Sequence, residues 1–100
     1  MLAMPDDAVC DLRSRSGLAR SSGIVVLNSP GTIDPDFRGE IIILLINHGR
    51  KDRTIKHGER VAQLVFLRSL APEIVHVIEL GQTMRGKDGF GSTGDVLAIP

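Results

Sequence analysis

Arginine, serine and glycine cluster in the stretch RSRSGLAR at residues 13–20. Guanidinium groups bind phosphate oxygens through paired hydrogen bonds, and serine hydroxyls can donate to the same oxygens. Glycine adds a backbone that a ligand can approach closely. The stretch therefore contains the parts of an anion site suited to phosphate, and it also has the composition of a solvated turn.

A second stretch, NSPGTIDPDFRGE at residues 28–40, combines turn residues with carboxylates and an aromatic ring. Asn, Pro and Gly near its start indicate one tight turn, and the Asp34-Pro35-Asp36 triplet indicates another. Two strands that fold back here would form a hairpin whose backbone amides and carbonyls face a pocket. Phe37 follows the second turn in a chain with three Phe, no Trp and no Tyr. A carboxylate beside an apolar ring suits a small ring ligand with a polar edge, and the alternative is that both aspartates only form turns.

The stretch RGKDGFGSTG at residues 85–94 has four glycines, one aromatic residue and two hydroxyls. Its lack of apolar periodicity argues against a packed helix or strand. It does not match a Walker A loop, because Gly86-Lys87 is followed by Asp88 rather than by Ser or Thr. The stretch is either a disordered end or a flap that becomes ordered around a ligand.

Short, β-branched apolar segments separate these polar stretches, at residues 23–28, 40–47, 60–67 and 73–80. Gly, Pro, Asn and Asp punctuate them and no helical period lasts ten residues, so the pattern predicts an all-β domain. The segment at 40–47 is apolar on both faces, which indicates cover on both sides by the core or by a subunit interface. Gln63 is a polar amide on an apolar face, and a backbone contact or a ligand oxygen would satisfy it.

Composition limits the classes of function. A chain of 100 residues suits one domain, and its 12 basic and 12 acidic residues leave no global field that would draw it to nucleic acid or to a membrane. The scarcity of aromatic residues removes the stacking platforms of single-strand binders. No apolar run approaches the roughly 20 residues that span a bilayer. The single cysteine, Cys10, excludes an intrachain disulfide and is typical of the cytoplasm.

Taken in order, the polar stretches resemble the motifs of the trimeric dUTP diphosphatase (dUTPase) family. RSGLA at 15–19 resembles the second motif, GTIDPDFRGE at 31–40 the third, GERVAQLV at 58–65 the fourth and RGKDGFGSTG the fifth. Four motifs in this order at suitable spacings are highly specific, and the resemblance covers the chain from about Ala3 to Gly94. It implies a β-rich jelly-roll-like barrel (β-clip), with a dUTPase-like β domain at residues 1–84 and a flexible Gly-rich C-terminal arm at residues 85–100.

The resemblance also implies hydrolysis of dUTP to dUMP and pyrophosphate in nucleotide metabolism, with Mg²⁺ as the cofactor, in a homotrimer whose sites lie between subunits. Asp34 would activate the water that attacks the α-phosphorus, and Phe37 would pack on the deoxyribose. The other substrate contacts that the resemblance implies are Arg15, Ser16, Gly17 and Gln63 at the phosphates, Asn28, Gly31, Thr32 and Ile33 in the hairpin, and Arg85, Phe90, Gly91, Ser92 and Thr93 in the arm.

The family's first motif, which resembles AGYDL and holds the metal through water, has no counterpart. DAVCDLRS at 7–14 is a lookalike, but it fits without a gap the strand that leads into the second motif, so Asp11 belongs to that strand. The chain is therefore expected to lack an N-terminal portion of the family fold, and its metal ligands are unassigned. Smaller departures are Phe37 where tyrosine is common, Ser14 where proline is common and Asp88 where glycine is frequent.

Two further functions stay open. A dCTP deaminase shares the fold and a similar IDP turn, but it uses a glutamate on the following strand as proton shuttle. The corresponding position here is Leu44, which cannot carry a proton. The second possibility is a degenerate dUTPase-like protein that binds nucleotide, with a regulatory role and impaired turnover.

Overall fold

The computed structural model describes residues 1–91 and residue 94. Along these residues the elements are β1 (Ala8–Arg13), α1 (Ser16–Ser22), β2 (Ile24–Val26), β3 (Gly31–Ile33), β4 (Leu45–Asn47) and β5 (Gln63–Arg68). All strand pairs are antiparallel. The predicted β class is confirmed, with the addition of the short helix α1. No helix in the described part of the chain is long and apolar enough to cross a membrane.

The larger sheet has the strand order β3-β1-β5, and the smaller sheet pairs β2 with β4. Leu12 of β1 lies opposite Gly31 of β3 on one side and opposite Leu64 of β5 on the other. β1 therefore fixes the register of the whole larger sheet. Asp11 lies inside β1, so the prediction that it belongs to a strand is confirmed.

The buried apolar side chains of the described residues are Cys10, Leu12, Leu18, Ile24 and Val26. They come from β1, α1 and β2, so the core lies where these three elements meet. Burial raises the pKa of the Cys10 thiol, and the charge of Asp11 raises it further, whereas a backbone hydrogen bond with Val65 lowers it. The raised pKa keeps the thiol neutral, and it packs as a small apolar group.

Helix α1 ends at Gly23, which adopts a left-handed conformation with φ of 70°. The Gly23 N–H donates to the carbonyl of Ala19 at 2.9 Å, which closes the last turn. A Cβ at Gly23 would lie 2.6 Å from the backbone nitrogen of Gly49. The two glycines thus allow the end of α1 to contact the loop after β4.

β2 and β4 lie within the strands predicted at 23–28 and 40–47, and β5 overlaps the strand predicted at 60–67 and extends to Arg68. The strand predicted at 73–80 is wrong for the single chain. Residues 69–91 contain no strand or helix, and their side chains are exposed. The Cα radius of gyration is 19.7 Å, compared with about 13 Å for a compact chain of this length. A strand needs a hydrogen-bonded neighbour, and the described residues of this chain supply none to the segment 73–80.

Candidate functional site

A pocket of about 280 Å³ opens beside β3, and we call it the hairpin pocket. It brings together the predicted hairpin residues, including Asp34 and Phe37. Its full lining is Leu12, Asn28, Gly31, Thr32, Ile33, Asp34, Phe37, Glu40, Ile41 and Ile42. The volume is near the lower end of the roughly 300–1,000 Å³ seen for small-molecule pockets.

One wall of this pocket is β3, whose position is fixed by its pairing with β1. β3 is an edge strand that pairs only with β1 in the described sheet, so its outer row of backbone N–H and C=O groups is available to a ligand. Asp34 follows β3 directly, and the Phe37 N–H donates to the Asp34 carbonyl at 3.2 Å. This turn carries the chain from the carboxylate to the aromatic ring. Gly31 is buried beneath the Asn28 side chain, since a Cβ at Gly31 would lie 3.1 Å from Asn28 Nδ2.

The Phe37 ring lies over Gly39. A Cβ at Gly39 would lie 2.6 Å from Cζ of the ring. Arg38 stabilises the preceding turn, because its Nη1 donates to the Pro35 carbonyl at 2.6 Å. The ring is 44% exposed and forms an apolar wall of the pocket.

A second group of predicted residues lies around the junction between β1 and α1, next to Ser14, and we call it the junction group: Arg15, Ser16, Gly17 and Gln63. Arg15 Nη1 donates to the Arg60 carbonyl at 2.8 Å. Gln63 Nε2 donates to the Ser14 carbonyl at 2.9 Å, so the predicted backbone contact of this amide is confirmed. Ser16 and Gly17 are exposed at the start of α1. Neither Ser14 nor any residue of the junction group lines the hairpin pocket.

The described arm residues Arg85, Phe90 and Gly91 form a third group that the single chain does not bring to either of the others. Arg85 Nε donates to the Asp88 carbonyl at 2.7 Å, in a local turn. Phe90 is 112% exposed, and Gly91 is exposed beside it. The predicted contacts Ser92 and Thr93 lie outside the described residues.

The dUTPase family model matches residues 1–94. The chain belongs to the dUTPase family. Solved structures of phage enzymes agree with this assignment. Two single-site mutants of the Staphylococcus bacteriophage 80alpha dUTPase with dUpNHpp are 28% and 29% identical, each with a TM-score of 0.76. A triple mutant of the same dUTPase with dUpNHpp is 28% identical, with a TM-score of 0.73. Each match covers 92% of this chain and 70% of the phage chain.

Membership in the dUTPase family makes the chain a hydrolase of the dUTP diphosphatase class. The fold that was expected from the motifs is the fold of these neighbours. Glu40, which sequence reasoning did not select, lines the hairpin pocket of this dUTPase together with Asp34. Leu44, the position that argues against deamination, is exposed and does not line it.

The donors in the hairpin pocket limit which metal ion the candidate site could bind. Residues 1–91 and 94 contain no group of three or more His, Cys, Asp or Glu side chains that could hold a metal ion. The two pocket carboxylates, Asp34 and Glu40, are hard oxygen donors. Mg²⁺ is commonly bound by one or two carboxylates together with substrate phosphates and waters. The residues therefore fit an ion carried largely by the substrate, and they do not form a cage of protein ligands.

Sequence reasoning missed several residues of the candidate site. Leu12, Ile41 and Ile42 line the pocket, but their sequence signal is that of ordinary core strands. Glu40 gave a weak signal, as a charge at the start of an apolar run. Ser14 was noted only as a departure from proline, although its hydroxyl accepts a hydrogen bond from the Val26 N–H.

Proposed function

We propose that this dUTPase hydrolyses dUTP to dUMP and pyrophosphate, with Asp34 as the base that activates the attacking water. The observation that carries the proposal is the position of Asp34. Asp34 lines the hairpin pocket, directly after the edge strand β3 and together with Phe37. A dUTP molecule whose nucleoside is bound there would place its α-phosphorus near a carboxylate that can orient and deprotonate water. Attack by that water breaks the bond between the α-phosphorus and the bridging oxygen, and pyrophosphate leaves.

The hairpin pocket supports selection of the base and the sugar. The outer backbone groups of β3 would read the polar edge of uracil by hydrogen bonds. A base held against β3 in this way would leave no room for a 5-methyl group. Phe37 would pack on the deoxyribose and exclude a ribose hydroxyl. The small volume of about 280 Å³ is compatible with this tight selection.

The junction group supports binding of the phosphate chain. Arg15 uses Nη1 for the Arg60 carbonyl, and the guanidinium keeps further N–H donors that a phosphate could accept from. Ser16 and Gly17 offer a hydroxyl and an open backbone on the same exposed turn. Gln63 is held beside them through the Ser14 carbonyl. Positioning and charge neutralisation of this kind contribute most of the catalysis in phosphoryl transfer.

We further propose that Mg²⁺ is the cofactor and that the protein is located in the cytoplasm. When bound, Mg²⁺ would neutralise phosphate charge. Because Asp34 is proposed as the base, Glu40 is the pocket carboxylate that could contribute to its coordination, directly or through water. The cytoplasmic location is supported by the single cysteine, which is a free thiol in the structure.

The assembly that we propose is a homotrimer in which the arm of one subunit completes the site of another. The exposed arm residues Arg85 and Phe90 would then meet the hairpin pocket of a neighbour, with Arg85 on the terminal phosphate and Phe90 over uracil. The support is energetic. Leaving Phe90 and the apolar residues of 69–84 in water forfeits about 25 cal/mol for each Å² that a partner would bury.

The test of the catalytic proposal is the substitution Asp34→Asn, assayed by pyrophosphate release from dUTP with Mg²⁺. Loss of a general base lowers kcat by about 100-fold or more, while calorimetry should still detect binding of the dUTP analogue dUpNHpp. Asp36→Asn is the matched control, because Asp36 is an exposed aspartate of the same turn that does not line the pocket. Equal turnover in Asp34→Asn and wild type would rule out Asp34 as the base.

The same assay separates the three functions. The wild type should hydrolyse dUTP and leave dCTP, dTTP and UTP nearly untouched. Ammonia release from dCTP would instead support the deaminase. Binding of dUpNHpp by a wild-type chain that releases no pyrophosphate would support the impaired nucleotide-binding protein. The position of the deaminase's proton-shuttling glutamate is held by Leu44, which cannot carry a proton, and this favours the impaired protein over the deaminase as the second candidate.

A further inference from the structure

Three hydrogen bonds meet at Ser14, the residue between β1 and Arg15. Its hydroxyl accepts from the Val26 N–H at 2.9 Å. Its own N–H donates to Ser29 Oγ at 3.2 Å. Its carbonyl accepts from Gln63 Nε2 at 2.9 Å. One small residue thus joins β1 to β2, to β5 and to the turn that precedes β3.

The bond to Val26 satisfies a buried donor. The neighbouring Leu27 N–H donates to the Leu44 carbonyl, next to β4, at 2.7 Å. Alternate N–H groups of a strand point to opposite sides, so the Val26 N–H points away from β4. Val26 is 2% exposed, and its donor therefore needs an acceptor within the protein. The Ser14 hydroxyl takes the place that a further strand would occupy.

The other two bonds reach both halves of the candidate site. Ser29 follows Asn28, which lines the hairpin pocket, and Gln63 belongs to the junction group with Arg15. Ser14 is therefore bonded on one side to the turn that leads into the nucleoside half and on the other to the phosphate half. A change of about 1 Å between reacting groups can cost on the order of 100-fold in rate, so the spacing of the two halves matters for turnover.

We infer that Ser14 is a positioning residue that fixes the junction group relative to the hairpin pocket, and this inference rests on the proposed function. Proline, which is common at this position in the dUTPase family, has neither an N–H nor a hydroxyl. It could make only the carbonyl bond to Gln63. In this chain, hydrogen bonds of the Ser14 side chain and backbone hold the junction between β1 and α1. A proline ring would stiffen the same junction without them.

The test compares Ser14→Ala, Ser14→Thr and the control Ser21→Ala, an exposed serine near the end of α1. Ser14→Ala should weaken dUpNHpp binding by calorimetry about tenfold, while deoxyuridine, which lacks phosphates, should bind about as in wild type by NMR titration. Ser14→Thr keeps the hydroxyl and should restore dUpNHpp binding. For dUTP hydrolysis, Ser14→Ala should raise KM and lower kcat together.

Equal losses for dUpNHpp and deoxyuridine would show that Ser14 supports only the fold, and unchanged dUpNHpp binding in Ser14→Ala would also overturn the inference. Amide hydrogen exchange distinguishes failure of the Ser14 inference from failure of the proposed function. The Val26 amide should exchange faster in Ser14→Ala than in Ser14→Thr, whether or not nucleotide binds. A wild type that binds neither ligand would refute the proposed function, and an unchanged Val26 exchange rate would refute the Ser14 network.

Discussion

At the scale of single residues, Gly39 determines where the ring of Phe37 can lie. A Cβ at Gly39 would lie 2.6 Å from Cζ and 2.9 Å from Cε2 of the ring. Contacts of this length between a Cβ and another heavy atom are too short to persist, so a side chain at Gly39 forces the ring away. The ring is partly exposed and can move into solvent at small cost.

We predict that Gly39→Ala weakens nucleotide binding with little loss of stability. The displaced ring would either enter the pocket or leave the sugar uncovered, and both raise KM for dUTP, by about tenfold if one aromatic contact is lost. The free energy of unfolding should change by less than about 1 kcal/mol. Gly81→Ala is the control, since a Cβ there meets nothing within 4 Å. An unchanged KM in Gly39→Ala would show that the ring does not contact the nucleotide.

Local chemistry predicted some site residues and missed others for a physical reason. Asp34 and Phe37 were found because a carboxylate and a rare aromatic flank a turn, and that signal is local in sequence. Leu12 and Ile41 line the same pocket, but they reach it through strand pairing and chain reversal. Their own sequence neighbourhoods contain no sign of a ligand.

At the scale of elements, the periodicity located β2, β4 and β5 but misjudged their lengths and missed α1 and β3. Helix α1 is seven residues long and has one buried apolar residue, Leu18, so no helical period can be read from it. β3 has three residues and is defined by its pairing with β1. The segment 73–80 has the apolar pattern of a strand, but a pattern does not reveal which chain provides the neighbouring strand.

We predict that this segment becomes a paired, buried strand in the assembly. Ile78 is 106% exposed in the single chain, so Ile78→Asp cannot disturb the core of its own subunit. If a partner buries the residue, an unpaired carboxylate there costs more than about 2 kcal/mol for each copy. Light scattering should show Ile78→Asp as a smaller species than wild type at the same concentration, and Ile78→Val as an assembly of wild-type mass. A wild-type mass for Ile78→Asp would mean that Ile78 stays in water.

At the scale of the whole molecule, the candidate site is divided into three groups: the hairpin pocket, the junction group and the arm residues. The hairpin pocket and the junction group belong to one folded unit, held together by β1 and Ser14. The arm residues Arg85 and Phe90 leave that unit at the end of an exposed segment. The motifs indicated all three groups, but the sequence cannot show which groups meet within one chain. That depends on the geometry between copies.

Subunit complementation tests whether the arm acts on a neighbour. One variant carries Asp34→Asn with an intact arm, and the other ends at Met84 with an intact Asp34; each alone should be inactive. In a heterologous, closed ring, a 1:1 random mixture would give about a quarter of the sites a working pocket from one variant and an arm from the other. Pyrophosphate release should therefore return to about a quarter of the wild-type rate after joint refolding, and stay absent when the variants are refolded separately. If the arm folds back on its own subunit, the jointly refolded mixture stays inactive, because no chain then carries both the carboxylate and the arm.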